Sequence, residues 1–151
     1  MPSPYSVRGA RRDEIEPITA LLEPIMEKRG TLPERGVAEL VWAANRTPEV
    51  DWMVAINRQK VVGVARTEMF SFGEGDDLVE GLTVDNLVVD PTQRRRGIAT
   101  AILGRCLVFG EERMLDVVKL DIPHETTAIR ALAAKVDFWL RTALCHRTFQ
   151  A

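Results

Sequence analysis

Two periods of hydrophobicity divide the chain into predicted strands and predicted helices. Apolar runs or alternations of strand length occur at residues 5–10, 52–56, 61–70, 82–89, 117–122 and 138–149. Apolar residues at helical spacing follow Asp13, Thr31, Arg96 and either Thr126 or Thr127. The predicted order of elements is therefore β-α-α-β-β-β-α-β-α-β.

Capping patterns predict where the first two helices begin and end. Asp13-x-x-Glu16 resembles a capping box at the start of the first helix. Pro24 should kink or end that helix, because proline has no N–H for the helical hydrogen bond. Thr31-x-x-Glu34, with a proline in its first turn, predicts the start of the second helix.

The connections between strands predict the fold class. The strands at 82–89 and 117–122 are joined through a helix at 96–113, and such a crossover makes two strands parallel. The two preceding strands are joined by a short polar turn and should form an antiparallel hairpin. The prediction is an α/β (α+β) fold with a mixed, mostly antiparallel central sheet, one parallel βαβ pair and about four flanking helices. A chain of 151 residues suits a single domain over residues 1–151.

Composition narrows the class of protein. The net charge of −2 argues against a nucleic-acid partner, which usually requires a basic surface. No apolar run is long enough to span a membrane, and no signal peptide is evident. Cys106 and Cys145 are predicted to be buried free thiols, which suits a cytoplasmic location. The cysteines and the two histidines are dispersed, so no metal site is expected.

The segment after the strand at 82–89 is the strongest candidate for a ligand site. Arg94, Arg95 and Arg96 precede Gly97, which opens an apolar helix. The first turn of a helix has free N–H groups, glycine lets a ligand approach the backbone, and arginine binds phosphate through two hydrogen bonds. The segment predicts a pyrophosphate site. The alternative is a solvated basic face, with Gly97 only capping a turn.

This segment resembles the hallmark motif of the GNAT superfamily of N-acetyltransferases. The motif, [QR]-x-x-G-x-[GA] after a strand and a V-x-P turn, corresponds to 94–99 after Val89-Asp90-Pro91. A weaker resemblance in the order of elements extends over residues 5–138. The resemblance implies that acetyl-CoA is bound. Its pyrophosphate would be held by Arg94, Arg95, Arg96, Gly97, Ile98, Ala99 and Thr100, and its pantetheine arm would pair with the backbone of Leu87, Val88 and Val89.

Three side chains are candidates for the base that deprotonates an acceptor amine. Asp85 is the first choice, because it lies in the strand that would carry the cofactor, where many small-molecule GNAT enzymes have an acidic residue. The alternative for Asp85 is that it begins a bulge or caps a backbone group. Glu68 is the second candidate, although an outward-facing strand residue explains it as well. His124 follows a strand end and is the third.

The chain departs from the family pattern in its last third. The family's usual tyrosine, the general acid, is replaced by Leu132, and the usual asparagine by Glu125. Only a short segment follows Phe138, where many relatives have two strands. A missing strand would leave a sheet edge open, and we therefore expect a homodimer.

The predicted function is N-acetylation of a primary amine of a small molecule, by direct transfer in a ternary complex with acetyl-CoA. The small-molecule acceptor is favoured by Asp85 and by an acidic, glycine-rich loop at 71–81 that would attract a cation. That loop is otherwise explained as an ordinary mobile surface loop. The alternatives are a protein N-acetyltransferase and a non-catalytic acyl-CoA-binding or regulatory domain.

Overall fold

The computed structural model describes residues 5–93, 97–121, 139–141 and 144–148, and for the last two ranges only the backbone is described. The described strands are β1 (Ser6–Gly9), β2 (Val50–Asn57), β3 (Lys60–Phe72), β4 (Val79–Val89), β5 (Val117–Asp121), β6 (Trp139–Arg141) and β7 (Leu144–Thr148). They form one sheet in the order β1-β2-β3-β4-β5-β7-β6. Only β4 and β5 pair in parallel, and the other neighbours pair antiparallel. The predicted mixed sheet with one parallel pair is confirmed.

Helices cover both faces of the sheet. The described α-helices are α1 (Ile15–Arg29), α2 (Val37–Ala43) and α3 (Ile98–Glu112). One buried cluster joins α1 and α2 to Trp52, Val54 and Val64, and a second joins α3 to the opposite face of the sheet. The helix predicted to begin at Thr126 or Thr127 lies outside the described residues. None of the described helices is both long and apolar enough to cross a membrane.

The bounds of α1 and α2 differ from the prediction. Pro24 does not end α1, because a buried stripe of Ile18, Leu22 and Met26 continues past it and holds the helix against the sheet. The helix ends at Gly30, whose left-handed conformation (φ 66°) lets the following amides bond to the last carbonyls. Pro33 starts a turn rather than a helix, since its carbonyl accepts from the N–H of residue 36 at 3.0 Å, and α2 begins only at Val37.

The capping interaction before α1 uses a different glutamate from the one predicted. Glu14 Oε1 accepts a hydrogen bond from the backbone N–H of Arg11 at 2.7 Å, and a short 3₁₀ turn (Arg12–Glu14) precedes the helix. Both carboxylate oxygens of Glu14 also accept from Arg8, at 2.7 Å each. The guanidinium of Arg8 lowers the pKa of Glu14, against the opposing effect of burial. The predicted pairing of Asp13 with Glu16 is wrong, because Glu14 accepts the capping hydrogen bond and also binds Arg8 on β1.

Two predictions about the connections are also wrong. The loop predicted at 71–81 spans only residues 73–78, since β3 and β4 extend until Phe72 pairs with Val79. The single strand predicted at 138–149 is two strands, with β7 paired to β5 on one side and to β6 on the other. The sheet edge beside β5 is therefore filled, which removes the argument that predicted a homodimer.

Helix α3 lies close to the sheet because of a glycine on β3. A Cβ atom built on Gly63 would lie 2.7 Å from Ile98 Cγ2 and 3.0 Å from Ile102 Cδ1. Both isoleucines are buried, at 2% and 0% exposure, so neither can move aside without repacking. Gly104, on α3 itself, has no atom within 4 Å of the same position. The close contact thus depends on the strand glycine.

We expect Gly63→Ala to lower the free energy of unfolding by about 1–3 kcal/mol, because the added methyl group overpacks the α3 contact. Urea denaturation at a fixed pH measures this change. Gly104→Ala is the matched control, and it should stabilise the protein by about 0.5–1 kcal/mol, because alanine favours a helix interior. Equal stability of Gly63→Ala and the wild type would show that the contact is not tight.

Candidate active site

A bulge in β4 is the local feature that builds the candidate site. Arg66 on β3 pairs with Asp85, whereas Val64 pairs with Val88, so β4 contains one more residue than β3 between these two pairs. Asn86 takes up the extra length with φ 49°, a left-handed conformation that asparagine tolerates better than most residues. The alternative prediction for Asp85, that it begins a bulge, is therefore confirmed, and it does not exclude a chemical role.

The bulge reverses the alternation of side chains along β4. Leu82 and Val84, before it, belong to the cluster under α3. After it, Val88 joins the cluster under α1 and α2, while Leu87 and Val89 pack toward α3. Without the extra residue Val88 would face the same side as Val84. Asp85 remains on the α1 and α2 side, opposite Arg66.

The bulge also marks the place where β4 separates from β5. The parallel register runs from Gly81 with Val117 to Val84 with Leu120 and ends there. Within the described residues, the rest of β4, residues 85–89, pairs only with β3. The backbone edge of this segment that faces β5 is available to an extended ligand.

The turn that follows β4 is ordered by Asp90. Its Oδ1 accepts from the N–H of Thr92 at 3.0 Å and from the Thr92 hydroxyl at 2.9 Å, and Lys60 Nζ lies 3.7 Å from Oδ2. The Thr92 N–H is the main cause of the lowered pKa of Asp90. Asp90 was predicted only as part of a motif, and its structural role in the turn was not predicted, although Asp-Pro before a turn is a recognised signal.

Among the described residues, no side chain caps the N-terminus of α3. Gly97 precedes the helix with φ 79°, and a Cβ atom placed on it would have no described neighbour within 4 Å. Ile98 is buried at 2% exposure, so the first turn is fixed to the core. Ile98, Ala99 and Thr100 thus present first-turn amides at the end of β4. Arg94, Arg95 and Arg96 lie outside the described residues.

Asp85 lies in a cluster of charged side chains beside the separation of the strands. Arg66 Nη1 lies 3.2 Å from Asp85 Oδ2 and 3.2 Å from Glu68 Oε2, and Asn86 Nδ2 donates to Asp85 Oδ1 at 3.3 Å. The side chain of Asp85 is 25% exposed and that of Glu68 45%. Arg66 was not predicted as a site residue. Its only signal in the sequence is a cation in a mostly apolar strand.

Burial raises the pKa of Asp85, and the negative charges of Asp121 and Glu68 add to the rise. The positive charge and hydrogen bond of Arg66 oppose it. The structure therefore brings Asp85 and Glu68 together, as two of the three predicted bases, with Asp121 close enough to act on Asp85. His124 lies outside the described residues.

A cavity in the described part of the chain lies elsewhere. It has a volume of about 960 Å³ and lies between α1 and the β2–β3 turn, where Leu21, Ile25 and Lys60 line it. Asp90 reaches its rim, but neither Asp85 nor Gly97 lines it. Strand geometry and charge, rather than cavity volume, identify the candidate site.

Comparison with known proteins identifies the class. The sequence matches the model of the acetyltransferase (GNAT) family over residues 15–138. The chain therefore belongs to the GNAT acetyltransferase family, whose cofactor is acetyl-CoA. No curated protein sequence matches it significantly.

Solved structures share the fold at low sequence identity. A protein of Agrobacterium tumefaciens str. C58, named as an acetyltransferase, is 16% identical with a TM-score of 0.77, covering 97% of this chain and 98% of its own. A predicted acetyltransferase of Clostridium acetobutylicum, determined with acetyl-CoA, is 17% identical with a TM-score of 0.71, covering 91% and 92%. A Bacillus halodurans C-125 protein named as a transcriptional regulator is 14% identical, with a TM-score of 0.71 and coverage of 97% and 98%.

The raised pKa of Asp85 predicts a pH dependence of stability. The folded protein keeps a proton that the unfolded chain releases at its ordinary pKa of 3.8, so wild type loses stability as the pH rises from 3.8 through the folded pKa. Asp85→Asn lacks this loss. The free energy of unfolding of Asp85→Asn minus that of wild type should therefore increase over this pH range, as measured by urea denaturation at several pH values.

Asp90→Asn is the control of opposite sign. The pKa of Asp90 is lowered in the folded state, so its carboxylate stabilises the wild type above the unfolded pKa of 3.8, and this stability is lost as the pH falls through the folded pKa. The same difference for Asp90→Asn should therefore decrease as the pH rises. Stability curves of Asp85→Asn and wild type that run parallel would contradict the burial of an ionisable Asp85.

Proposed function

We propose that the protein is an N-acetyltransferase that transfers an acetyl group from acetyl-CoA to the primary amine of a small molecule in a ternary complex. One observation carries the proposal: the bulge places the carboxylate of Asp85 beside the segment of β4 that has left β5. A proton acceptor thus lies next to the backbone edge on which an extended cofactor arm fits. The proposal treats residues 1–151 as one domain working in the cytoplasm.

The described residues fit acetyl-CoA at both ends of its phosphopantetheine arm. Leu87, Val88 and Val89 would pair their free backbone edge with the amides of the arm, because this edge has no partner in β5. The amides of Ile98, Ala99 and Thr100 would hold the pyrophosphate, with Gly97 leaving room for it. Arg94, Arg95 and Arg96 would supply the matching positive charge. When bound, acetyl-CoA supplies the acetyl group as an activated thioester.

Asp85 would remove the proton that blocks the acceptor. A lysine-like ammonium has a pKa of about 10.4, so forming the neutral amine at pH 7 costs about 4.6 kcal/mol. Asp85 would anchor the ammonium and accept its proton, directly or through a water molecule. The amine nitrogen would then form the new C–N bond, the C–S bond would break with its electron pair staying on sulfur, and the second proton of the nitrogen would pass to the thiolate, directly or through water. Arg66, 3.2 Å from Asp85 Oδ2, holds the carboxylate in place and favours its ionised form, against the burial that raises its pKa.

Direct transfer is supported by the state of Cys106. Its side chain is fully buried in the α3 cluster, and burial raises the pKa of the thiol to about 12. A protonated, inaccessible thiol cannot carry an acetyl group at neutral pH. Cys106 therefore packs the core, and the acetyl group would pass to the amine in one step.

A non-catalytic acyl-CoA-binding domain is the second candidate. Leu132 stands where many family members have the tyrosine that protonates the leaving thiolate, and leucine cannot donate a proton. A thiol has a pKa of about 8.5, so thiolate departure needs less assistance than amine deprotonation does. The missing tyrosine therefore weighs less than the presence of Asp85. Tight binding of acetyl-CoA without turnover on any amine would support this second candidate.

The first test is Asp85→Asn, assayed for thiol release from acetyl-CoA with a panel of small primary amines. We expect kcat/KM for the best amine to fall by about 10²- to 10⁴-fold, the usual contribution of a general base. The Kd of acetyl-CoA, measured by calorimetry, should stay within about twofold, since Asp85 would contact the acceptor rather than the cofactor.

Glu68→Gln and His124→Gln are the matched controls for the other two candidate bases. Glu68 is more exposed and shares Arg66 with Asp85, so we expect its loss to cost less than about tenfold in kcat/KM. A larger loss in Glu68→Gln or in His124→Gln than in Asp85→Asn would assign the base to that residue instead.

The second test concerns the turn at Gly97, before α3, which we call the cofactor turn. A non-glycine residue at φ 79° costs about 1–2 kcal/mol, so alanine would shift the turn to other conformations. Gly97→Ala should therefore weaken acetyl-CoA binding at least about fivefold. Gly30→Ala is matched to it, with φ 66° and no atom within 4 Å of the added Cβ, but it lies at the end of α1. Both variants should lose similar stability in thermal denaturation, and only Gly97→Ala should lose affinity. Equal affinities would show that the turn does not bind the cofactor.

A further inference from the structure

Next to Asp85, part of the sheet lies outside the two buried clusters of the described residues, and its side chains follow a regular pattern. On the side of α1 and α2, three rows of side chains lie on β3, β4 and β5, and we call them together the acceptor surface. Read away from the bulge, the strand registers give the rows as Arg66 and Asp85; then Glu68, Thr83 and Lys119; then Phe70, Gly81 and Val117. Asp121 lies beyond the last β4–β5 pair, and its charge acts on Asp85. Phe72 follows Phe70 on the same face.

The third row is an aromatic platform that depends on a glycine. A Cβ atom on Gly81 would collide with Cζ of Phe70 and lie 2.7 Å from its Cε1, so the ring lies across β4 where no side chain rises. The ring of Phe72 is parallel to that of Phe70 within 2°, with centroids 6.1 Å apart. Phe72 is 56% exposed, which is unusual for a large aromatic side chain on a sheet. The platform thus exposes an apolar ring to solvent on the same face of the sheet as Asp85.

The middle row contains a positive charge that would discriminate among amines. Lys119 Nζ lies 4.8 Å from the centroid of the Phe70 ring, and no carboxylate in the described part of the chain forms an ion pair with it. Glu68, across the row, is already paired with Arg66 at 3.2 Å. A second ammonium group on the acceptor would therefore meet an unpaired positive charge between Asp85 and the platform.

We propose that the acceptor is a primary monoamine with an apolar, aromatic-sized end, the amine at Asp85 and the apolar end on Phe70 and Phe72. This inference rests on the proposed function and adds the class of acceptor. Asp85 and Phe70 are two rows apart, which is about 13 Å along the strands. After a hydrogen bond of about 3 Å and a ring contact of about 4 Å, roughly 6 Å remains, which corresponds to about four or five methylene groups.

A homologous series of phenylalkylamines tests this class. With one to six methylene groups between nitrogen and ring, we expect kcat/KM to rise about tenfold or more from one methylene to four or five and then to level off. Linear diamines of equal length should be poorer acceptors than the phenylalkylamines, and so should amino acids with a terminal carboxylate in place of the ring.

Two variants separate the platform from the charge. Phe72→Ala should lower the ratio of kcat/KM between five and one methylene groups by five- to tenfold. Met114→Ala removes a side chain that is 88% exposed and belongs to none of the three rows, and it should leave this ratio unchanged. Lys119→Met should raise kcat/KM for the diamines relative to the phenylalkylamines by at least fivefold.

The outcomes distinguish this inference from the proposed function. If short amines are acetylated but kcat/KM does not grow with chain length, or if diamines or amino acids are preferred, the inference is overturned and the proposed function stands. An unchanged ratio in Phe72→Ala overturns it in the same way. If no amine of any length is acetylated while acetyl-CoA binds, both fail together.

Discussion

The extra residue in β4 is the constraint on which the rest of the site depends. In a regular strand, successive side chains alternate between the two faces of the sheet, so the face of each residue is fixed. The extra residue at Asn86 reverses this alternation once. Val88 can then fill the core under α1 and α2, while Asp85 lies on the same side of the sheet but outside that buried cluster. The pairing with β5 ends at the same point, so one local change produces the free backbone edge and the carboxylate beside it.

The charged side chains around Asp85 oppose one another in their effect on its ionisation. Burial works against the ionised form of Asp85, and the neighbouring carboxylates of Glu68 and Asp121 increase that cost. Among the described residues, Arg66 is the cation that pairs with both Asp85 and Glu68. One positive charge is thus shared by two of the three carboxyl groups. The surface therefore retains net negative charge next to the separated strands and becomes apolar farther along the sheet.

The sequence predicted what depends on local periodicity and missed what depends on pairing. The hydrophobic period predicted the strands and the parallel βαβ unit. A compact motif predicted the turn that follows β4. The continuation of α1 past Pro24 and the split of the last strand follow from tertiary contacts that no local window contains. Asp85 was predicted as a site residue because its strand was identified. Arg66 was missed because its importance lies in the register that sets it opposite Asp85.

The same packing that stabilises the fold also fixes the cofactor turn relative to Asp85. Ile98, the first residue of α3, is buried against Gly63 on β3, and the turn before it is tied through Asp90 to Thr92 and Lys60. The N-terminus of α3 and Asp85 at the bulge are thus both positioned by contacts with β3, on opposite faces of the sheet. A ligand that spans them meets groups already in position, so little conformational entropy remains to be lost on binding. The core contact at Gly63 is in this sense part of the binding site, although it touches no ligand.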